Sequence, residues 1–128
     1  MLISRDPQTP NTIRAWGPGE LRIRDEVIRN NVILTAERII HPWAARDAAQ
    51  LTMAQLAPAL DLEPAILILG TGPTLVFPDA EVRGGIMSRG IGLEVMDTPA
   101  ACRTFNVLVA ERRNVAAALL IEALRAPD

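Results

Sequence analysis

Two stretches decide how this chain is read: Ala65-Ile-Leu-Ile-Leu-Gly-Thr-Gly72 and Ile91-Gly-Leu-Glu-Val-Met-Asp-Thr-Pro99. Ala65 to Leu69 is apolar without alternation, which fits a strand covered on both faces. It breaks at Gly70-Thr71-Gly72-Pro73. Ile91 to Met96 reads as a second buried strand. Ile91, Leu93 and Val95 share one of its faces, and Gly92, Glu94 and Met96 the other. Between the two, Asp79 is placed to cap a helix running to about Ser88. Gly90 then closes it at the C′ position, where φ > 0 is easy. Thr98 as N-cap with Pro99 at N1 opens a further helix. Strand, helix and strand in this order predict a parallel βαβ unit with a right-handed crossover. The fold class is therefore α/β.

The pattern outside this unit differs. Asn11 to Thr35 carries short strands. Ile13 and Ala15 alternate with Thr12 and Arg14, Leu21 and Ile23 alternate with Arg22 and Arg24, and Val32 to Leu34 is a short apolar run. Gly17-Pro18-Gly19 and Asn30-Asn31 are turn signals, so the segment reads as one antiparallel meander. Ile39-Ile40 is extended and ends at Pro42. Asp47 is placed to cap a helix over 48–56, ended by Pro58. Thr74 to Phe77 is a short strand or extended loop. Asn114 to Leu124 is ambiguous: its alanines favour a helix, but its length also permits a strand. Residues 1–10 are polar, with Pro7 and Pro10, and read as a flexible arm. At 128 residues, the remaining 11–128 suit a single domain.

Composition excludes more chemistry than it suggests. All 13 basic residues are arginine, and there is no tyrosine. The aromatics are Trp16, Trp43, Phe77 and Phe105, with one histidine, His41, and one cysteine, Cys102. Schiff-base and P-loop lysines, a tyrosine acid and an intramolecular disulfide are thereby ruled out, and so is a metal site built mainly from His and Cys. No cofactor is expected. The net charge is −2, and arginines are interleaved with acids, as in Arg22, Arg24, Asp25 and Glu26. That is a mixed solvated surface rather than a nucleic-acid footprint. Pro64 to Pro78 is too short and too broken to span a bilayer. The first residues contain no apolar signal-peptide core. A cytoplasmic protein is expected, and its oligomeric state is unreadable.

If the two strands are parallel, Gly70-Thr71-Gly72 and the Thr98 helix start leave one edge of the sheet. Ligand sites in open α/β sheets favour such edges. Thr98, Cys102 and Asn106 recur at i, i+4 and i+8 and form one polar stripe. A helix first turn and neighbouring Arg103 could depress the Cys102 thiol pKa. The ordinary alternative is a small buried residue packing the helix on the sheet. Glu94, inside an apolar strand, calls for a cation or a helix terminus, as a structural ion pair or as a site acid. A dinucleotide fingerprint fails, because position 75 is Leu and Pro73 to Phe77 intervene before the helix.

The strand-Gly70-Thr71-Gly72 turn, with the string Gly90-Ile-Gly-Leu-Glu-Val-Met-Asp-Thr-Pro-Ala-Ala-Cys-Arg-Thr-Phe-Asn106, is distinctive. It resembles a domain-of-unknown-function family. That family includes archaeal and bacterial single-domain proteins, an adipogenesis-associated domain protein and the mitochondrial complex I assembly factor three. The match is specific over 65–121 and looser over 11–43. The resemblance implies a single three-layer domain with a central mixed sheet, helices and an additional N-terminal strand layer. It also implies a strand at Val115 to Ile121. It carries no catalytic residues.

Two functions follow as expectations. The first is a non-enzymatic protein-binding or assembly-factor-like domain, contacting its partner near Gly70 to Gly72 and the Thr98 helix. The second is a small-molecule or anion-binding protein, possibly an enzyme, at that edge, using Gly70, Thr71, Gly72, Glu94, Thr98, Cys102, Arg103 and Asn106.

Overall fold

The computed structural model describes residues 9–125, so most of the expected N-terminal arm lies outside the described residues. The first strands are β1 (Ile13–Gly17), β2 (Glu20–Ile23) and β3 (Glu26–Ile28), and they pair antiparallel in that order. Ile13, Leu21, Ile23 and Ile28 point inward while Arg14, Arg22 and Arg24 stay outside. The alternation of Leu21 and Ile23 with Arg22 and Arg24 thus becomes a dry and a wet side, whereas in β1 the expected alternation fails after Ile13, where the register shifts and Ala15 is exposed.

The next strand, β4 (Val32–Thr35), leaves this meander. It joins β5 (Ile39–Ile40), β6 (Ile66–Gly70), β7 (Gly92–Met96) and β8 (Val115–Leu119) in a second sheet of order β5-β4-β8-β6-β7. The expected single meander through Thr35 is corrected here. Val32, Ile33 and Leu34 are all buried, which only a strand covered on both faces can satisfy. β6 pairs parallel with both β7 and β8, and β4 pairs antiparallel with β8, so the sheet is mixed.

Helices α1 (Met53–Leu60) and α2 (Ala80–Ser88) cover one face of this sheet, packing on Leu67, Leu69, Ala116 and Ala118. Helix α3 (Thr98–Ala110) and the β1–β3 sheet cover the other, around Ile68, Ala117 and Leu119. This is the three-layer α/β arrangement with an added strand layer. The Ala-rich segment becomes β8 against its helix propensity. Every residue from Val115 to Leu119 is buried, and alanines let helices approach from both sides of the strand.

Three local boundaries differ from the sequence reading. Asp47 caps only a 3-10 turn at Ala48–Gln50. The helix itself starts at Met53, capped by a reciprocal pair: Gln55 N–H donates to Thr52 Oγ1, and Thr52 N–H to Gln55 Oε1, each at 3.1 Å. Pro58 therefore lies inside α1, and burial of Leu56, Ala59 and Leu60 offsets the bond it forfeits. Thr98 is not the cap of α3. Asp97 is, with its carboxylate accepting from Ala100 N–H at 2.8 Å. Finally, β7 is an edge strand and only half covered, not a buried one.

Candidate functional site

The chain runs from β6 through α2 to β7, then through α3 back across to β8. Because β7 and β8 flank β6 on opposite sides, strand order reverses at β6. Gly70-Thr71-Gly72 leaves the sheet at this reversal, where open α/β folds place ligands. Here the space is occupied by the protein's own hydrogen bonds. Gly72 N–H donates to Thr98 Oγ1 at 2.8 Å, and the same hydroxyl donates to the Leu120 carbonyl at 2.9 Å. Thr98 N–H donates to the Gly72 carbonyl, Thr71 N–H to Met96 and Leu120 N–H to Gly70, at 2.8, 2.9 and 3.0 Å. One fully buried threonine thus ties together the ends of β6, β8 and the start of α3.

Glycine at position 70 is required by this closeness. A Cβ there would lie 2.9 Å from Leu119 Cδ2, 3.0 Å from Thr98 Oγ1 and 3.1 Å from Ala101 Cβ. Gly72 takes φ +99°, which L side chains rarely adopt. Thr71 is spent locally: its hydroxyl donates to the Thr74 carbonyl at 2.6 Å and accepts from Val76 N–H. The residues Thr74 to Phe77 form the loop alternative rather than a strand.

The start of α3 is likewise consumed. Thr98 N–H goes to Gly72, Pro99 has none, and Ala100 and Ala101 N–H both go to Asp97. The first turn keeps no free N–H with which to hold an anion.

The stripe of Thr98, Cys102 and Asn106 exists, but it faces inward. Cys102 is fully buried between α3 and the sheet. Burial pushes its thiol pKa from 9.0 up to about 12, and the pull of the Arg103 charge in the other direction is smaller. A thiol held neutral at physiological pH is a packing group rather than a nucleophile. Arg103 points outward, with its guanidinium 5.8 Å from the Trp16 ring centroid. Asn106 brackets Ile13: its Oδ1 accepts from Ile13 N–H and its Nδ2 donates to the Ile13 carbonyl, both at 2.8 Å. It supplies to the outer edge of β1 what a neighbouring strand would.

Glu94 stands apart from this joint. It is exposed on β7 and has no ion pair among the described residues. The expectation of a buried, paired carboxylate is corrected: β7 is the sheet edge, and water solvates the charge. His41 is exposed beyond β5, on the far side of the sheet from β7, and does not serve Cys102. Among the described residues, no group of three His, Cys, Asp or Glu side chains could hold a metal.

Two residues that organise the molecule were not singled out in the sequence, where Asn31 read as part of a turn and Asn11 as the start of the strand segment. Asn31 is buried, and its Oδ1 accepts from Ile121 N–H at 2.7 Å and Glu122 N–H at 3.0 Å, while its Nδ2 donates to the Ala45 carbonyl. Asn11 donates to the Thr35 carbonyl and accepts from Arg24 Nε. With Asn106, these asparagines bond backbone groups at the edge of β1, at the end of β4 and just beyond β8.

The comparisons with known proteins agree with this architecture. The assembly factor 3 of the NADH dehydrogenase [ubiquinone] 1 alpha subcomplex from Danio rerio is 31% identical over 121 residues. The match covers 93% of this chain and 69% of that protein, so nearly a third of the relative has no counterpart here. An uncharacterised protein of Rhodobacter capsulatus is 34% identical over 108 residues, covering 84% of this chain and 82% of that one. A Xanthomonas campestris protein solved by NMR superimposes with a TM-score of 0.82 at 32% identity, covering 99% of this chain and 96% of that one. A family model described as "Protein of unknown function (DUF498/DUF598)" matches residues 13–120. With its central mixed sheet, its Gly70–Thr98 joint and this match along most of its length, the chain belongs to the DUF498/DUF598 family.

Proposed function

We propose that this chain is a non-enzymatic protein-binding module, of the kind that helps a larger complex assemble, and that residues 11–128 act as one unit. The observation that carries this reading is the state of the Gly70 to Asn106 edge. At the joint of Gly70 to Gly72 with α3, the Thr71 and Thr98 hydroxyls and the Asn106 amide are engaged in bonds to backbone, and the Cys102 thiol is buried in the packing. Relatives named as assembly factors supply the direction, because such proteins work by contact. No helix among the described residues is long and apolar enough to cross a membrane. We place the activity in the cytoplasm, where a lone cysteine stays reduced, without metal or cofactor and without nucleic acid.

The test is purification of the tagged chain from its native source at native expression, with brief chemical cross-linking. The reading expects one discrete protein recovered near equimolar amounts. Recovery of the chain alone under every condition, together with a metabolite that raises its melting temperature, overturns it.

A further inference from the structure

We infer that β7 is an open sheet edge that accepts an extended segment of a partner protein by strand addition. The segment would be apolar towards α2 and basic opposite Glu94. The inference rests on the protein-binding reading and gives it a surface.

Hydrogen-bond direction comes first. Gly92 N–H donates to Ala65 and the Met96 carbonyl accepts from Thr71 N–H, so Gly92, Glu94 and Met96 turn their backbone groups towards β6. In a parallel ladder the alternate residues turn theirs away. Leu93 and Val95 therefore present N–H and C=O groups to the outside, and nothing among the described residues engages them.

The other edges are protected. β5 has two residues and β3 has three. β1 carries an irregularity between Ile13 and Ala15, and Asn106 occupies its outer side. β7 is five residues long, regular and uncovered. Exposed edges of this kind are templates for another strand.

Side chains define what that strand carries. A hollow of about 560 Å³ lies between β7 and α2, lined by Phe77, Arg83, Met87, Leu93 and Val95. Phe77 and Met87 are 56% and 67% exposed, an apolar shelf without a cover. Arg83 stacks on Phe77 at 5.8 Å from the ring centroid and has no carboxylate partner among the described residues. Glu94 also borders the hollow, with its side chain on the opposite face of β7 by alternation, and has no cation among the described residues. Both charges are open to complementary charges on the incoming segment. It would place apolar residues and one acid on the α2 side, and a basic residue across from Glu94.

A second copy of this chain fits less well. Antiparallel self-pairing centred on Glu94 sets two carboxylates against each other, which is unfavourable. Centred on Leu93 or Val95, it sets Glu94 opposite Gly92 or Met96, with no cation in either register.

The test uses the isotopically labelled chain and three synthetic capped peptides. The first alternates valine and leucine with lysine and ends in one glutamate. The second exchanges lysine for glutamate. The third carries N-methyl groups on its bonding edge. NMR titration with the first peptide is expected to shift β7 resonances and to slow amide exchange at Leu93 and Val95 by about tenfold or more, the cost of opening a bond. The second peptide should bind several-fold more weakly, and the third not at all. In Val95→Pro, the lost N–H is not part of the β6 ladder, so the fold is kept and binding should fall by about tenfold. Glu94→Arg should reverse the preference between the first two peptides.

Leu93 and Val95 amides already protected in the free chain overturn the inference, whether the chain is monomeric or a dimer. Unchanged β7 resonances at millimolar peptide, or undiminished binding by both variants, overturn it as well. The partner captured in the cross-linking experiment separates the two levels. Equal capture by wild type, Val95→Pro and Glu94→Arg sinks strand addition and leaves the protein-binding reading intact. Recovery of wild type alone under every condition, together with a metabolite that raises its melting temperature, sinks both.

Discussion

Replacing Thr98 with valine keeps the shape of the side chain and removes its hydroxyl. That hydroxyl is the sole side-chain link between Gly72 N–H and the Leu120 carbonyl, and both bonds are buried. Each backbone group left unpaired costs about 1–3 kcal/mol. The added methyl group returns roughly 0.8 kcal/mol of burial. The net loss is about 1–5 kcal/mol, set against the ~5–15 kcal/mol that holds a typical domain. Thr98→Ser removes a methyl group and keeps the hydroxyl, so it should lose only about 1 kcal/mol. Urea unfolding is the assay. With a slope of about 2 kcal/mol/M, Thr98→Val should lower the midpoint by roughly 0.6–2.5 M. Thr98→Ser should lower it by roughly 0.5 M. Burial alone predicts the reverse order. A valine variant as stable as wild type, or more stable than the serine variant at unchanged slope, refutes the idea that this hydroxyl locks the sheet edge.

Further outcomes follow from the same geometry. Asn31→Ala strands the Ile121 and Glu122 N–H groups and the Ala45 carbonyl. At about 1–3 kcal/mol for each of these groups, it should cost at least ~3 kcal/mol in the same assay, and a loss near zero would show that water replaces the side chain. Gly70→Ala forces a methyl group against Leu119, Thr98 and Ala101 and should destabilise by about 1–3 kcal/mol, measured as a fall in Tm. Cys102 gives a pH dependence with a definite sign. Its folded pKa of about 12 lies above the unfolded 9.0, so its contribution is fully present below pH 9 and is lost as pH rises towards 12. The slope is at most ~1.4 kcal/mol per pH unit. Unfolding curves between pH 8 and 11 should show it in wild type and not in Cys102→Ala; the same slope in both would assign it elsewhere.

The parts of the fold written in apolar runs were legible. β6 and β7, the Asp79 cap and the Gly90 stop follow from residue chemistry that acts locally. β8 did not, because three alanines favour a helix in isolation and only burial on both faces decides for a strand. β4 was recognisable as a strand but not assignable to a sheet, since a fully apolar run carries no sign of which neighbour it pairs with. Helix α1 was displaced because two capping signals, Asp47 and Thr52, lie close together, each with a glutamine three residues on, and only Thr52 and Gln55 close the reciprocal pair of bonds. The Thr98, Cys102 and Asn106 spacing was visible, but not its direction. Small polar side chains on a helix can face inward when backbone groups meet them there. Asn31 read as a turn residue for the same reason, as asparagine bonds to backbone equally well in a turn and in a buried joint. Glu94 was misjudged because the edge position of β7 depends on the whole strand order.

The most direct test of the central claim, that the Gly70 to Asn106 edge is a structural joint rather than a reactive centre, is the alkylation rate of Cys102. Iodoacetamide at neutral pH should react with the folded chain far more slowly than with a free-thiol peptide. The rate should rise only as urea opens the fold, in step with global unfolding. Alkylation of the folded chain faster than the peptide would mean an accessible, activated thiolate and would contradict the account.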